Sequence, residues 1–390
     1  MTHEPDRPEQ DRAFGFETRQ LHAGQRPDPN TGARAVPIFQ TTSYVFEDPE
    51  SAAAYFNLQE YGNTYSRIMN PTVAVFEERM GNLEGGAGGV AFASGIAAQA
   101  AVFFTLLQPG DHVVSSSALY GGTVNQLKHM LKKMSVELTW VDPDDADAWR
   151  KAIRANTKAL FGETIGNPAG NVLDIEAVAS VAHDHALPLI VDNTFATPYL
   201  CRPIEWGADI VIHSATKFIG GHGTSIGGVV VEAGRFNWSN GRFPVIADPS
   251  PAYHGLQFHE TFGTYGYLMK LRAETLRDLG AALAGSRCRP ACLGHAVLAA
   301  LPRAPCPTRH PAERGRPPRG GGRLRPLECR ARTALEPAQR LSWPRSARPV
   351  AAATARPAAA AQGPSAARRS PSSAGTAAAT RSAPAGRSRP

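Results

Sequence analysis

From Asp111 onward, short apolar runs rich in β-branched residues alternate with stretches whose apolar side chains recur every three or four positions. The runs predict strands at His112–Ser115, Val136–Val141, Lys158–Glu163, Leu189–Val191, Asp209–Ile212 and Ile226–Val231. Between them the helical period predicts helices at Thr123–Met134, Asp145–Arg154 and Ile175–Ala186, the second with acidic residues in its first turn. Upstream, Val73, Phe76, Met80 and Leu83 share one stripe of a helix that begins near Thr72 and breaks at Gly85-Gly86-Ala87-Gly88-Gly89. Val90–Ala93 then reads as a short strand, and the small residues from Ser94 open another helix. A last stripe, Leu268, Leu271, Thr275, Leu279 and Leu283, predicts a helix over Thr264–Ala284 that stops without a capping signal. Residues 1–59, interrupted by Pro27, Pro29, Gly32 and Pro37, read as an extended arm that packs on a neighbouring subunit. Strands alternating with helices imply an α/β fold with a mostly parallel sheet covered on both faces.

In such a sheet, ligands bind at the carboxyl ends of the strands. Two predicted tips are chemically loaded there. Ile210–Ile212 runs into His213-Ser214-Ala215-Thr216-Lys217, and Leu189–Val191 runs into Asp192-Asn193-Thr194. An ammonium, an acid and hydroxyl donors converging on one cleft suit a lysine that holds pyridoxal phosphate covalently, with a carboxylate on the pyridinium nitrogen. Ser94-Gly95-Ile96, at a helix start, adds backbone N–H groups for a phosphate. Each piece alone has a plainer reading: a solvated lysine, a capping acid, an ordinary helix cap. Only their combination points to a cofactor.

Composition changes the picture at residue 285. Residues 285–390 hold 20 Arg, 26 Ala and 16 Pro with 3 Glu, and no Lys, Asp, Ile, Phe, Tyr, Met or Asn, for a net charge of +17. The first 284 residues hold 21 basic and 31 acidic side chains, a net charge of −10. The formal +7 of the whole chain therefore belongs to the tail, and no nucleic-acid-binding module is implied for the acidic body. Lacking Ile, Phe and Tyr, the tail cannot build a dense core. Its composition is that of a GC-rich gene read out of frame, so residues 285–390 are expected to be out-of-frame and disordered. Four of the five cysteines (Cys288, Cys292, Cys306, Cys329) fall there without a metal-ligand spacing, so no metal site is expected. Cys201 alone lies in the body, which fits a reducing compartment. Met1 to Arg12 is polar and resembles no signal peptide, and Val90–Leu107 reads as a buried helix rather than a membrane span. A cytoplasmic location with no membrane partner is expected.

Taken together, Phe16–Gly24, Tyr65-Ser66-Arg67, Asp192-Asn193-Thr194 and Ser214-Ala215-Thr216-Lys217 resemble the Cys/Met-metabolism family of PLP-dependent enzymes. Gly234–Trp238 through Tyr253-His254-Gly255 resembles its O-acetylhomoserine sulfhydrylase branch. The resemblance runs from Gly15 to Ala284. It implies an aspartate-aminotransferase-like (fold type I) large domain at residues 60–263, with the start of an interdomain helix at 264–284 and the C-terminal small domain missing. It also implies a set of roles. Lys217 anchors the cofactor and then shuttles protons, Asp192 holds the pyridine nitrogen, and Thr194 supports the ring. Asn167, in the turn before Pro168, binds the phenolic oxygen, and Tyr120 stacks on the ring and protonates the leaving group. Gly95 and Ile96 N–H with the Ser214 and Thr216 hydroxyls hold the phosphate, joined by Tyr65 and Arg67 of an adjacent subunit in a homotetramer.

The reaction implied is γ-replacement on O-acetylhomoserine by sulfide or a thiol, a step of methionine biosynthesis. The alternatives are a cystathionine γ-synthase or γ-lyase, which shares every cofactor residue, and an inactive remnant of the fold. The family's substrate-carboxylate arginine lies beside a Ser-Leu-Gly type loop in its C-terminal domain. Residues 285–390 contain no such loop, so the chain is expected to be inactive or poorly folded.

Overall fold

The computed structural model describes residues 12–286 and 288. Seven strands form one sheet: β1 Gly88–Phe92, β2 His112–Ser116, β3 Glu137–Val141, β4 Thr157–Glu163, β5 Leu189–Asp192, β6 Ile210–His213 and β7 Gly228–Glu232. Their spatial order is β1-β7-β6-β5-β4-β2-β3. β7 runs antiparallel to both β1 and β6, and every other pairing is parallel. The expected mostly parallel sheet is present, with one reversed strand inside it.

The fully apolar runs are explained by burial on both faces. Leu160, Val191, Val211 and Val229 join Phe76, Met80, Trp149 and Val178 in one core cluster. Their strand neighbours Phe161, Ile190, Ile210 and Val230 face the other way, into a cluster with Phe103, Leu127, Trp238 and Tyr267. Helices α1 Phe16–His22, α2 Pro49–Phe56, α3 Pro71–Glu84, α4 Gly95–Leu106, α5 Gly121–Gln126, α6 Ala146–Ala152 and α7 Ile175–Asp184 precede or connect the strands. Asn70 caps α3 and Asp145 caps α6, each accepting backbone N–H groups of the first turn. Among the described residues no helix is long and apolar enough to cross a membrane.

Three departures from the expected pattern have physical causes. The arm contains α1 and α2, the second of which starts where Asp48 with Pro49 supplies a cap and a preformed first turn. Part of the arm also docks on its own chain, where the Thr72 hydroxyl accepts from Phe39 N–H at 2.9 Å and donates to Pro37 O at 2.8 Å. Next, the helix predicted at Thr123–Met134 widens to a π-helical turn at Leu127–Leu131. Finally, the helix predicted over Thr264–Ala284 runs from Gly266 to Leu279, widened to a π-helical stretch at Leu271–Leu276 and closed by Gly280 in the left-handed conformation (φ 67°).

The last apolar stripe is therefore not cut off. Leu279 is exposed, and Leu283 is buried beyond the helix, in a segment whose Ala282 bridges to Phe92. Gly285, Ser286 and Cys288 are helical, and Cys288 is buried in the first core cluster, so the expected disorder does not hold for these three residues. The rest of the expected out-of-frame segment lies outside the described residues.

Candidate active site

Three parallel strands end side by side at one edge of the sheet. Glu163 at the end of β4 pairs in register with Asp192 at the end of β5, which pairs in turn with Ile212 of β6. Beyond these ends the chain is tied together by the residues singled out above. Thr194 N–H donates to Asp192 Oδ1 at 2.9 Å, and Ser214 N–H donates to Thr194 Oγ1 at 2.8 Å. Lys217 follows one turn later, its N–H donating to Ser214 O at 3.1 Å. The Lys217 side chain is exposed, and its ammonium makes no ion pair among the described residues.

The start of α4 lies directly against this turn. A Cβ at Gly95 would sit 2.6 Å from Ser214 Cβ, so only glycine permits the approach. Ser94 caps the helix by accepting from Ala97 N–H at 3.1 Å. The N–H groups of Gly95 and Ile96 have no acceptor within the helix, and the helix dipole adds positive potential there. The Ser214 hydroxyl makes no hydrogen bond among the described residues. The Thr216 hydroxyl is engaged, donating to Gly227 O and accepting from Gly227 N–H, both at 3.1 Å.

Tyr120 opens α5 with its ring half exposed, and its N–H donates to Glu163 Oε1 at 2.8 Å. Asn167 stands in the turn after β4, before a cis bond to Pro168. The adjacent Gly166 packs against Ala118, which brings that turn beside the segment leading to Tyr120. Tyr65 and Arg67 are exposed, with the guanidinium 5.5 Å from the ring centroid. Among the described residues neither hydrogen-bonds to Gly95, Ile96, Ser214 or Thr216. The structure thus brings together Lys217, Asp192, Thr194, Ser214, Thr216, Gly95 and Ile96, with Tyr120 and Asn167 joined through β4. It leaves Tyr65 and Arg67 apart from them.

Glu163 belongs to the site, although sequence reasoning gave it no role. Burial and the neighbouring Asp192 push its carboxyl up to about 8. The available signal was an acid ending a predicted strand, the same pattern that marks Asp192. The sign of its effect on stability follows from proton binding. Between about 4.5 and about 8 the native chain retains a proton that the unfolded chain has lost, so Glu163 lowers stability as pH rises through that window. Glu163→Gln should flatten the fall in melting temperature of the cofactor-free chain between pH 5 and 8. An unchanged pH profile would contradict this assignment.

The site fits pyridoxal phosphate on its own geometry. Burial raises the Asp192 carboxyl above its usual range, opposed by hydrogen bonds from Thr194 and the charge of His213. Such an acid lacks a cationic N–H partner, which a protonated pyridine nitrogen supplies. Unpaired N–H groups at α4 suit a phosphate, and the exposed Lys217 follows the Ser214 turn that packs against them. Among the described residues no group of three or more His, Cys, Asp or Glu could hold a metal ion.

An α/β sheet with this constellation at one edge defines a pyridoxal-phosphate enzyme of the aspartate-aminotransferase-like fold. The chain belongs to the Cys/Met metabolism PLP-dependent enzyme family, whose profile matches residues 17–283. It is similar to the O-acetyl-L-homoserine sulfhydrylase of Leptospira meyeri, 48% identical over 280 residues that cover 70% of this chain and 63% of that one. The homocysteine synthase of Schizosaccharomyces pombe is 52% identical over 268 residues, covering 68% and 62%. The chain spans a little under two thirds of the length of these relatives. A solved structure described as an O-acetylhomoserine (thiol)-lyase of Campylobacter jejuni, carrying N'-pyridoxyl-lysine-5'-monophosphate, matches with TM-score 0.71 and 39% identity. That match covers 73% of this chain and 71% of the other.

Proposed function

We propose that the site is built for γ-replacement on O-acetyl-L-homoserine, with sulfide or a thiol displacing acetate to give homocysteine or its thioether, a step of methionine biosynthesis. The observation that carries this reading is the near-continuous similarity, at about half identity, to curated relatives named sulfhydrylases and homocysteine synthases. Bound pyridoxal phosphate supplies an electron sink for negative charge developing at the substrate Cα.

The remaining work falls to side chains. Lys217 would hold the cofactor, then take the substrate Cα proton and move protons between Cα and Cβ. Asp192 keeps the pyridine nitrogen protonated, and Thr194 holds Asp192 and the Ser214 turn in place. Asn167 donates to the phenolic oxygen. Tyr120 covers the ring and delivers a proton to the departing acetate at Cγ. Gly95 and Ile96 N–H with the Ser214 hydroxyl bind the phosphate, and Thr216 joins them by turning its hydroxyl away from Gly227.

Tyr65 and Arg67 reach the phosphate of a second copy, within a homo-oligomer that we take to be a tetramer in the cytoplasm. Ile96, Tyr120, Phe195 and Phe218, exposed around the cleft, support a covering neighbour. The family's carboxylate arginine has no recognisable counterpart in the sequence of residues 285–390. Losing such a charge-assisted contact costs roughly 3 kcal/mol, on the order of a hundredfold in turnover. The test supplies the purified chain with pyridoxal phosphate, O-acetylhomoserine and sulfide, and measures homocysteine. Homocysteine formation is expected to be slow or absent, in keeping with the missing arginine, and robust turnover would overturn that expectation. Release of 2-oxobutanoate and ammonia instead, or cystathionine formation from added cysteine in preference, would overturn the substrate reading.

A further inference from the structure

Beneath the strand tips lies a buried polar network that the roles above do not use. Glu84 is the last residue of α3 and His213 the last of β6, and both are fully buried. His213 Nε2 and Glu84 Oε1 are 2.6 Å apart, and the same oxygen accepts from Asn193 Nδ2 at 3.0 Å. Asn193 Nδ2 also donates to Cys201 O at 2.8 Å, and Asn193 Oδ1 accepts from the Thr164 hydroxyl at 2.8 Å. Glu84 apart, each of these side chains belongs to a chain neighbour of a site residue. His213 precedes Ser214, Asn193 separates Asp192 from Thr194, and Thr164 follows Glu163.

Stability does not account for this arrangement. The network adjoins the apolar cluster of Phe76, Met80, Val191 and Val211. Glu84 Oε2 and His213 Nδ1 are buried without a hydrogen-bond partner. Polar atoms left that way are costly, and apolar replacement of a buried charged pair is often neutral or stabilising. What the network does accomplish is geometric: it ties the end of α3 to three adjacent strand tips at their last or next residue.

We propose that Glu84 and His213, acting through Asn193 and Thr164, are positioning residues of the cofactor site. They set where Asp192, Thr194 and Ser214 stand. This inference rests on the pyridoxal-phosphate site and not on the choice of substrate.

The test uses the full chain titrated with pyridoxal phosphate, reading the dissociation constant, the visible absorbance maximum and the melting temperature. Glu84→Met/His213→Leu replaces both partners by apolar groups of similar size. It should melt within a few degrees of the parent yet bind the cofactor roughly tenfold more weakly, with a shifted maximum, as loss of outer-shell partners does at other sites. Thr164→Val removes only the outermost hydroxyl and should show a smaller loss of affinity in the same direction. Parental affinity and absorbance in both variants would overturn the proposal, as would a loss confined to melting temperature. If the double variant does not fold, Thr164→Val decides alone. Absence of homocysteine formation bears on the substrate reading only, since no readout here depends on turnover.

Discussion

Replacing Lys217 by alanine should abolish the visible absorbance band of the cofactor-loaded chain and reduce homocysteine formation by a factor of at least ~10³. Two losses combine. The covalent anchor disappears, and so does the base that moves protons at Cα and Cβ, a function that contributes about 10²–10⁴-fold by itself. The fold should be unaffected, because the Lys217 side chain is exposed and makes no ion pair among the described residues. A melting temperature equal to that of the parent, together with a lost band, assigns the effect to chemistry. Retention of a visible band that borohydride still fixes to protein would show that another lysine carries the cofactor.

Asp192→Asn should separate stability from binding in opposite directions. In the cofactor-free chain the Asp192 carboxyl is raised by burial, so ionising it as pH rises above about 3.9 works against folding. Asparagine cannot ionise, and the variant should melt at the same or a higher temperature near neutral pH. It also cannot pair with a protonated pyridine nitrogen. Charge-assisted hydrogen bonds contribute about 1.5–3 kcal/mol, so cofactor affinity should fall roughly 10- to 150-fold. Turnover should fall further, since the ring is then a poorer electron sink. Calorimetry and an absorbance titration measure the two effects independently. Parental affinity in Asp192→Asn would remove Asp192 from the pyridine nitrogen.

The tips carrying Lys217 and Asp192 were legible because a strand buried on both faces must be apolar until it leaves the sheet. The first polar residue after Leu189–Val191 is therefore the one that reaches the edge. Glu163 obeys the same rule at the end of β4, but its meaning depends on the register that sets it beside Asp192. Glu84 and His213 were out of reach for a different reason. They are 129 positions apart, and each sits at the end of an element whose period already accounted for it. The end of the last helix was misread because the leucine stripe continues past Gly280, while the backbone turns there and Leu283 reaches the core from a different segment.

The reversed direction of β7 has a consequence for how Lys217 is held. A parallel successor to β6 would require a crossover to the far end of the sheet, leaving the lysine on a long connection. Because β7 starts at the site edge, the chain leaves β6 at His213 and returns at Gly228, with Thr216 bonded to Gly227 across the base of the excursion. The lysine is thus rooted in a short closed loop whose neck is pinned, and its ammonium keeps its own torsional freedom. Closure entropy grows slowly with loop length, about 0.6 kcal/mol per doubling, so residues could be inserted near Gly221–Ser225 at little thermodynamic cost. The same insertion between Ser214 and Lys217 would displace the root itself.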